Sequence, residues 1–324
     1  MPWTPDLPRF PLLLGPSPLH RLPRFSDALG GRVEVWIKRE DLLPLAFGGN
    51  KLRNLEFLVG EALANGCDTL VTSGRRWSNH CRLTAAAGAK AGLGVHLVLG
   101  GPPMPADGPN VRIERLLGAV VHVAASAQRD DRETLVQRVA DDLRAAGHRP
   151  CVVNVGGSGL TGAVGQVLAG LEVAGQAAEH GLEPDLVVVP SATGGTQAGL
   201  LVGLGLGGLT PRVVGVVVAR PEAELRPVIE RLTADLAGLT GFTTRTPVEL
   251  DDSQLGAGYG HPSPAADDAT RLLARTEGLL VDPIYTAKAL AWLVSAARGG
   301  DLDGRRVVFW HAGGTPGLFE PLEG

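Results

Sequence analysis

Lys51 follows two glycines and an asparagine, Gly48-Gly49-Asn50-Lys51, and precedes a segment of helical period from Leu52 to Ala64. The pattern predicts a helix with Asn50 as its N-cap and Gly66 just past its end, which puts Lys51 in the first turn. A cation there opposes the helix dipole, a small local cost that often marks function, although a solvated surface lysine would look the same. A second signal is Ser191-Ala192-Thr193-Gly194-Gly195-Thr196, which follows an apolar run ending at Val189-Pro190 and opens a helix at Gln197. Successive backbone N–H groups at a helix start form an anion cradle, and the hydroxyls add donors. A tight strand-to-helix turn would also call for glycine on steric grounds alone. The third signal, Ser78-Asn79-His80, follows the strand ending at Thr72 and opens another helix, where it can receive a carboxylate or simply cap the helix.

Two G-x-G-x-x-G matches raise a dinucleotide site as the rival. Gly203, Gly205 and Gly208 follow a helix and precede a strand, the reverse of the fingerprint's context, whereas Gly157, Gly159 and Gly162 follow a strand and precede a helix. The second match keeps a nicotinamide-dependent oxidoreductase open.

The elements that must position these residues alternate along the chain. Apolar runs Val35 to Lys38, Thr69 to Thr72, Val95 to Leu99, Val120 to Val123, Cys151 to Val155, Leu186 to Val189, Val213 to Val218 and Val307 to Trp310 read as buried parallel strands. Between them lie helical segments at Asn79 to Ala91, Val111 to Leu117, Arg132 to Ala146, Gly162 to Glu179, Thr196 to Leu204, Ala223 to Leu236, Ala265 to Glu277 and Ala287 to Ala297. The alternation implies βαβ units and an α/β fold. With no clean linker, one domain is expected to be inserted in the other: residues 1–52 and 162–324 form a large cofactor-binding domain, and 53–161 a smaller α/β domain.

Composition narrows the classes. The 324 residues carry a net charge of −4 with interspersed signs, and no basic block that would track nucleic acid. Pro11-Leu12-Leu13-Leu14 is too short and too closely flanked by prolines and charges for a signal or a membrane span, so a cytosolic protein is expected. Cys67, Cys81 and Cys151 show neither C-x-x-C nor zinc spacing, and are expected to be reduced, buried small residues.

Lys38-Arg39-Glu40-Asp41-Leu42, followed by Gly48-Gly49-Asn50-Lys51, resembles the family of D-cysteine desulfhydrase and 1-aminocyclopropane-1-carboxylate deaminase. The resemblance continues in order through Ser78-Asn79-His80, Thr193 to Leu200, Gly258-Tyr259-Gly260, Asp282-Pro283-Ile284-Tyr285-Thr286 and His311 to Pro316. It implies a pyridoxal-phosphate enzyme of the tryptophan-synthase β fold, with two open twisted parallel sheets, and a homodimer. By resemblance Lys51 carries pyridoxal 5'-phosphate covalently, Asn79 bonds its phenolic oxygen, and Thr193, Gly194, Gly195 and Thr196 hold its phosphate. Tyr259 and Tyr285, the chain's two tyrosines, lie beside the cofactor, where a phenol can relay protons.

Thr315, or else Thr286, is expected at the cofactor's ring nitrogen. Thr286 stands where the cyclopropane-opening members carry glutamate, which makes the chain more similar to the D-cysteine desulfhydrase branch. The implied reaction is α,β-elimination on a small β-substituted amino acid. Cyclopropane opening, cysteate-type sulfo-elimination and cofactor binding without turnover are the alternatives. Four positions depart from the family pattern: Asn54 where a lysine is common, Trp77 where glutamine is usual, and Arg75 and Arg76 where small apolar residues are usual. The expectation is that Trp77 reshapes the substrate site, and that one of the two arginines binds an extra anionic group or replaces the charge missing at Asn54.

Overall fold

The computed structural model describes residues 3–101, 107–124 and 128–322. The elements run β1 (Leu19–Arg21), α1 (Pro23–Ala28), β2 (Glu34–Arg39), α2 (Lys51–Ala64), β3 (Thr69–Arg75), α3 (Asn79–Ala91), β4 (Gly94–Gly100), α4 (Pro109–Leu116), β5 (Val120–Val123), α5 (Arg129–Ala145) and β6 (Pro150–Val152). They continue with α6 (Leu160–His180), β7 (Leu186–Ser191), α7 (Gly195–Leu206), β8 (Arg212–Val217), α8 (Glu222–Thr240), β9 (Glu249–Asp251), α9 (Pro264–Glu277), α10 (Thr286–Gly299) and β10 (Arg306–His311).

The strands form two sheets. One has the order β1-β2-β10-β7-β8-β9, parallel throughout except for β1 against β2, and the other is the all-parallel β5-β4-β3-β6. In the larger sheet Val35, Ile37, Val307 and Phe309 pack with α9 and α10 on one face, while Trp36, Val308 and Trp310 pack with α6, α7 and α8 on the other. Strands covered on both faces must be apolar on both, which is why they appear in the sequence as unbroken runs. In the smaller sheet Leu70, Val95 and Leu97 pack with α2 and α3, while Val71 and Val98 meet α5 on the opposite face.

Cys151 to Val155 was expected as one strand, but β6 ends at Val152 and the chain turns into a 3-10 segment at Val155–Gly157. This also removes the dinucleotide reading of the Gly157 match. β6 belongs to the smaller sheet, while the helix that follows packs on α7 and α2, so no βαβ unit is closed there. Cys81 is buried, but Cys67 and Cys151 are only half-buried; all three are free thiols. Among the described residues no helix is long and apolar enough to cross a membrane.

Candidate active site

A cavity of about 370 Å³ lies where the carboxyl ends of both parallel sheets converge. Its wall is built by strand ends and the segments that follow them: Asn50 and Lys51 after β2, Gly74 and Arg75 at the end of β3 with Ser78, Asn79 and His80 beyond it, Gln128 and Arg132 after β5, and Val155 and Gly156 after β6. Pro190 and Ser191 at the end of β7 with Ala192, Thr193, Gly194 and Thr196 beyond it, Ala219, Arg220 and Glu224 after β8, Tyr259, Tyr285, and Ala312 after β10 complete it. Ligands in open α/β sheets bind at such carboxyl ends because loops and helix N-termini gather there.

Lys51 is the first residue of α2, and that turn is pinned from behind. Two residues on, the buried Arg53 donates from Nε to Glu40 Oε2 at 2.6 Å and from Nη1 to Glu172 Oε2 at 2.9 Å, and Lys38 reaches the same Glu172. The residues entering the helix, Leu45, Ala46 and Phe47, all have positive φ. Such backbone persists only where its surroundings hold it; here Arg82 of α3 donates to the carbonyls of Ala46 and Gly48. The Lys51 amine itself has no hydrogen-bond or ion-pair partner among the described residues, and burial lowers its pKa to about 8. The expected capping role of Asn50 is not realised. Its backbone is already helical, and its Nδ2 donates instead to Thr196 Oγ1 at 3.0 Å.

Opposite Lys51, the chain leaving β7 turns through Thr193 and Gly194 into α7. Gly194 has φ +85°, and a Cβ there would come within 2.7 Å of Ile229 Cγ1, so the cradle excludes any side chain at this point. Ser191 Oγ, buried on the same wall, has no partner among the described residues. Asn54 is buried one helical turn along from Asn50. It donates to Gly157 O at 3.0 Å and accepts from Gln166 Nε2, which also donates to Asn50 O at 2.9 Å. A chain of neutral amides therefore occupies the place where family members commonly carry a lysine, and Arg220 brings a cation to the Thr193 loop, donating from Nε to Ala192 O at 3.4 Å. Gly195 opens α7 but does not line the cavity.

Ser78 both lines the cavity and caps α3, accepting from the Cys81 N–H at 3.2 Å. Asn79 accepts from Arg82 Nη2 at 3.2 Å through Oδ1. His80 is fully buried, and burial, with the Lys51 charge second, lowers its pKa to about 3, so the ring is neutral. The Thr72 hydroxyl donates its proton to Val153 O, so it accepts from His80 Nε2 at 3.0 Å and leaves the unpartnered Nδ1 as an acceptor.

The Tyr259 and Tyr285 hydroxyls contact each other, and burial raises both phenols, Tyr259 to about 12. Trp77 was expected at the substrate site, yet it stands behind the wall, its ring 6.0 Å from that of Tyr259. Arg75 lines the cavity and Arg76 does not; the latter packs its side chain beside Gly101. Thr315 and Thr286 do not line it either. Thr286 is buried with its hydroxyl on Gly313 O at 3.2 Å, and Thr315 is half-buried beyond the turn at Gly314.

Several residues here escaped the sequence reading. Gln128, Arg132 and Arg220 line the wall from other elements. Asp282 accepts the N–H groups of Ile284, Tyr285 and Thr286 and so sets Tyr285 in place; its position ahead of a helix was the available signal. Lys288, fully buried, donates to Leu255 O at 2.8 Å and Gly258 O at 3.0 Å, both in the segment that leads into Tyr259.

A buried lysine without a counter-ion, facing an anion cradle that holds an orphaned hydroxyl, suits a cofactor with an aldehyde at one end and a phosphate at the other. The comparisons agree. The family model described as "Pyridoxal-phosphate dependent enzyme" matches residues 11–313, and the chain belongs to that family, with pyridoxal phosphate as its cofactor. It is 44% identical over 321 residues to the D-cysteine desulfhydrase of Salmonella choleraesuis (strain SC-B67), covering 96% of this chain and 95% of the relative. The D-cysteine desulfhydrase of Salmonella newport (strain SL254) is 43% identical over 320 residues, with the same coverage. Among solved structures, an ACC deaminase homologue superposes with a TM-score of 0.90 at 34% identity, covering 97% of this chain and 94% of the other. The threonine deaminase isoform 2 of Solanum lycopersicum, at 17% identity over 92% of this chain and 79% of the other with a TM-score of 0.66, shares the fold.

Proposed function

We propose that this enzyme catalyses an α,β-elimination on a small β-substituted amino acid, as the name of its D-cysteine desulfhydrase relatives describes, releasing a 2-keto acid, ammonia and the β-substituent. The observation that carries the reading is the unpartnered Lys51 amine, brought to a pKa of about 8 inside the cavity and facing the Gly194 cradle.

In this reading Lys51 holds the cofactor and, once displaced by substrate, takes the proton from the substrate Cα on Nζ. The cofactor, when bound, supplies the electron sink for the pair that proton leaves behind. The N–H groups of Thr193 to Thr196, their hydroxyls and Ser191 Oγ hold its phosphate, with Arg220 bonded to the same loop at Ala192 O. Asn79 bonds its phenolic oxygen, and Ser78 with the α3 N-terminus receives the substrate carboxylate. His80, neutral and accepting at Nδ1, suits a nitrogen that carries a proton rather than a carboxylate. The paired phenols of Tyr259 and Tyr285 are high enough in pKa to stay protonated and to pass a proton to the departing group. We place the enzyme in the cytoplasm as a homodimer, to be checked by fractionation and light scattering.

The test is the spectrum of protein supplemented with pyridoxal phosphate, followed by keto-acid release from D-cysteine, L-cysteine, β-chloroalanine and 1-aminocyclopropane-1-carboxylate. A visible absorbance band with turnover of a β-substituted amino acid is expected. A protein that stays colourless ends the reading. Turnover of the cyclopropane alone replaces it with ring opening, and colour without turnover reduces it to cofactor binding.

A further inference from the structure

Arg75, at the carboxyl end of β3, is a cavity-lining cation with no part in the elimination described above. Its guanidinium has no hydrogen-bond or ion-pair acceptor among the described residues, yet it is not loose. Its central carbon lies 5.9 Å from the centroid of the Trp77 ring, within the range of a cation–π contact. The indole is itself wedged. Gly260 has φ +87°, and a Cβ there would lie 2.3 Å from Trp77 Cζ2, so this turn must be glycine for the ring to fit. The other side of the ring system meets Tyr259, whose phenol also feels the Arg75 charge. Trp77 is thus a platform that holds a guanidinium beside Tyr259 without neutralising it.

The described lining carries four cations, Lys51, Arg75, Arg132 and Arg220, and one carboxylate, Glu224. Arg220 belongs to the Thr193 side, whereas Arg75 stands on the side of Ser78 and Tyr259, where substrate is expected. We propose that Arg75 is an anion subsite for the substrate's β-substituent, and that the enzyme favours amino acids whose leaving group is a tetrahedral oxyanion, a β-sulfonate or β-O-sulfate. A planar guanidinium fork suits two oxygens of such a group.

This inference rests on the elimination reading. The step balances with water alone: the Cα proton goes to Lys51, the Cβ–X bond breaks, and X leaves with the bonding pair as sulfite or sulfate. One water then converts the released enamine to 2-keto acid and ammonium.

The experiment compares kcat/KM for O-sulfoserine and for β-chloroalanine, using the same enantiomer of each, in wild type, Arg75→Met and Arg75→Lys. Wild type is expected to prefer the sulfate ester. The ratio should fall about ten- to a hundredfold in Arg75→Met, the usual worth of a charge-assisted hydrogen bond, with Arg75→Lys in between because it keeps the charge and loses the fork. An unchanged ratio overturns the proposal, as does an equal loss on both substrates, which would make Arg75 a carboxylate ligand or a scaffold residue. If wild type releases keto acid from neither substrate, the elimination reading itself falls, and the subsite with it.

Discussion

The Thr193 wall and the Arg75 wall close on one cavity with different materials. On the first, backbone N–H groups, glycine and short hydroxyl side chains are backed by a relay of hydrogen bonds from Thr196 through Asn50 and Gln166 to Asn54. On the second, an arginine, an indole and two phenols meet through ring contacts and one hydroxyl pair. A wall of backbone suits a group that never changes, such as a cofactor phosphate, because its donors need no ordering. A wall of side chains can be rewritten by substitution without disturbing the fold, which is what choosing a substrate requires.

The largest effect should come from the residue that both walls serve. In the proposed reading Lys51→Ala removes the covalent anchor and the base together, and keto-acid release should drop by about 10²–10⁴-fold or more. Residual activity close to wild type would place the base elsewhere. On the backbone wall, Gly194→Ala forces a side chain into left-handed backbone and against Ile229. Left-handed strain alone is worth about 1–2 kcal/mol, so the dissociation constant for pyridoxal phosphate should rise by about tenfold or more, as read by titration of the visible band. An unaltered constant would show that the cradle is not the phosphate site.

How much of this was legible in the sequence differs between the two walls. Helices such as Asn79–Ala91 and strands such as Val120–Val123 stood where the apolar periodicity put them, because burial on both faces leaves a strong pattern. The three-residue β1 and β9, and α1 opening at Pro23, left none, being too short for a period to show. The cradle was visible because glycine and hydroxyl residues at a helix start form a local motif. Lys288, Gln166 and Arg132 were invisible because each acts on the site, directly or through a neighbour, by a long side chain from a helix whose local pattern gives no sign of it. The misplaced cap at Asn50 has the same origin: a tertiary partner, Thr196, took the side chain that local rules assign to the helix.

The protonation of Lys51 gives a test between these extremes. Burial lowers its pKa, so the neutral amine that must attack the cofactor aldehyde becomes more abundant as pH rises through about 8. The rate of cofactor attachment to the stripped protein should therefore increase about tenfold from pH 7 to pH 9 and level off above. A rate still climbing tenfold per unit at pH 9 would mean an ordinary lysine.

The smallest effect probes how the side-chain wall is held. Lys288 donates to two carbonyls of the segment leading into Tyr259, so it acts on the site through Tyr259 and does not itself line the cavity. Lys288→Met keeps the length and the apolar stem but loosens that segment. A lost hydrogen bond is worth about 1 kcal/mol, so kcat should fall by roughly three- to tenfold. The affinity for pyridoxal phosphate should stay within about twofold, since the backbone wall has no contact with Lys288. A parallel loss in both quantities would mean that the two walls are mechanically one body. A loss confined to kcat would show that the substrate wall can be adjusted while the cofactor wall stands, the separation that would let Arg75 and Trp77 choose a substrate independently of the chemistry.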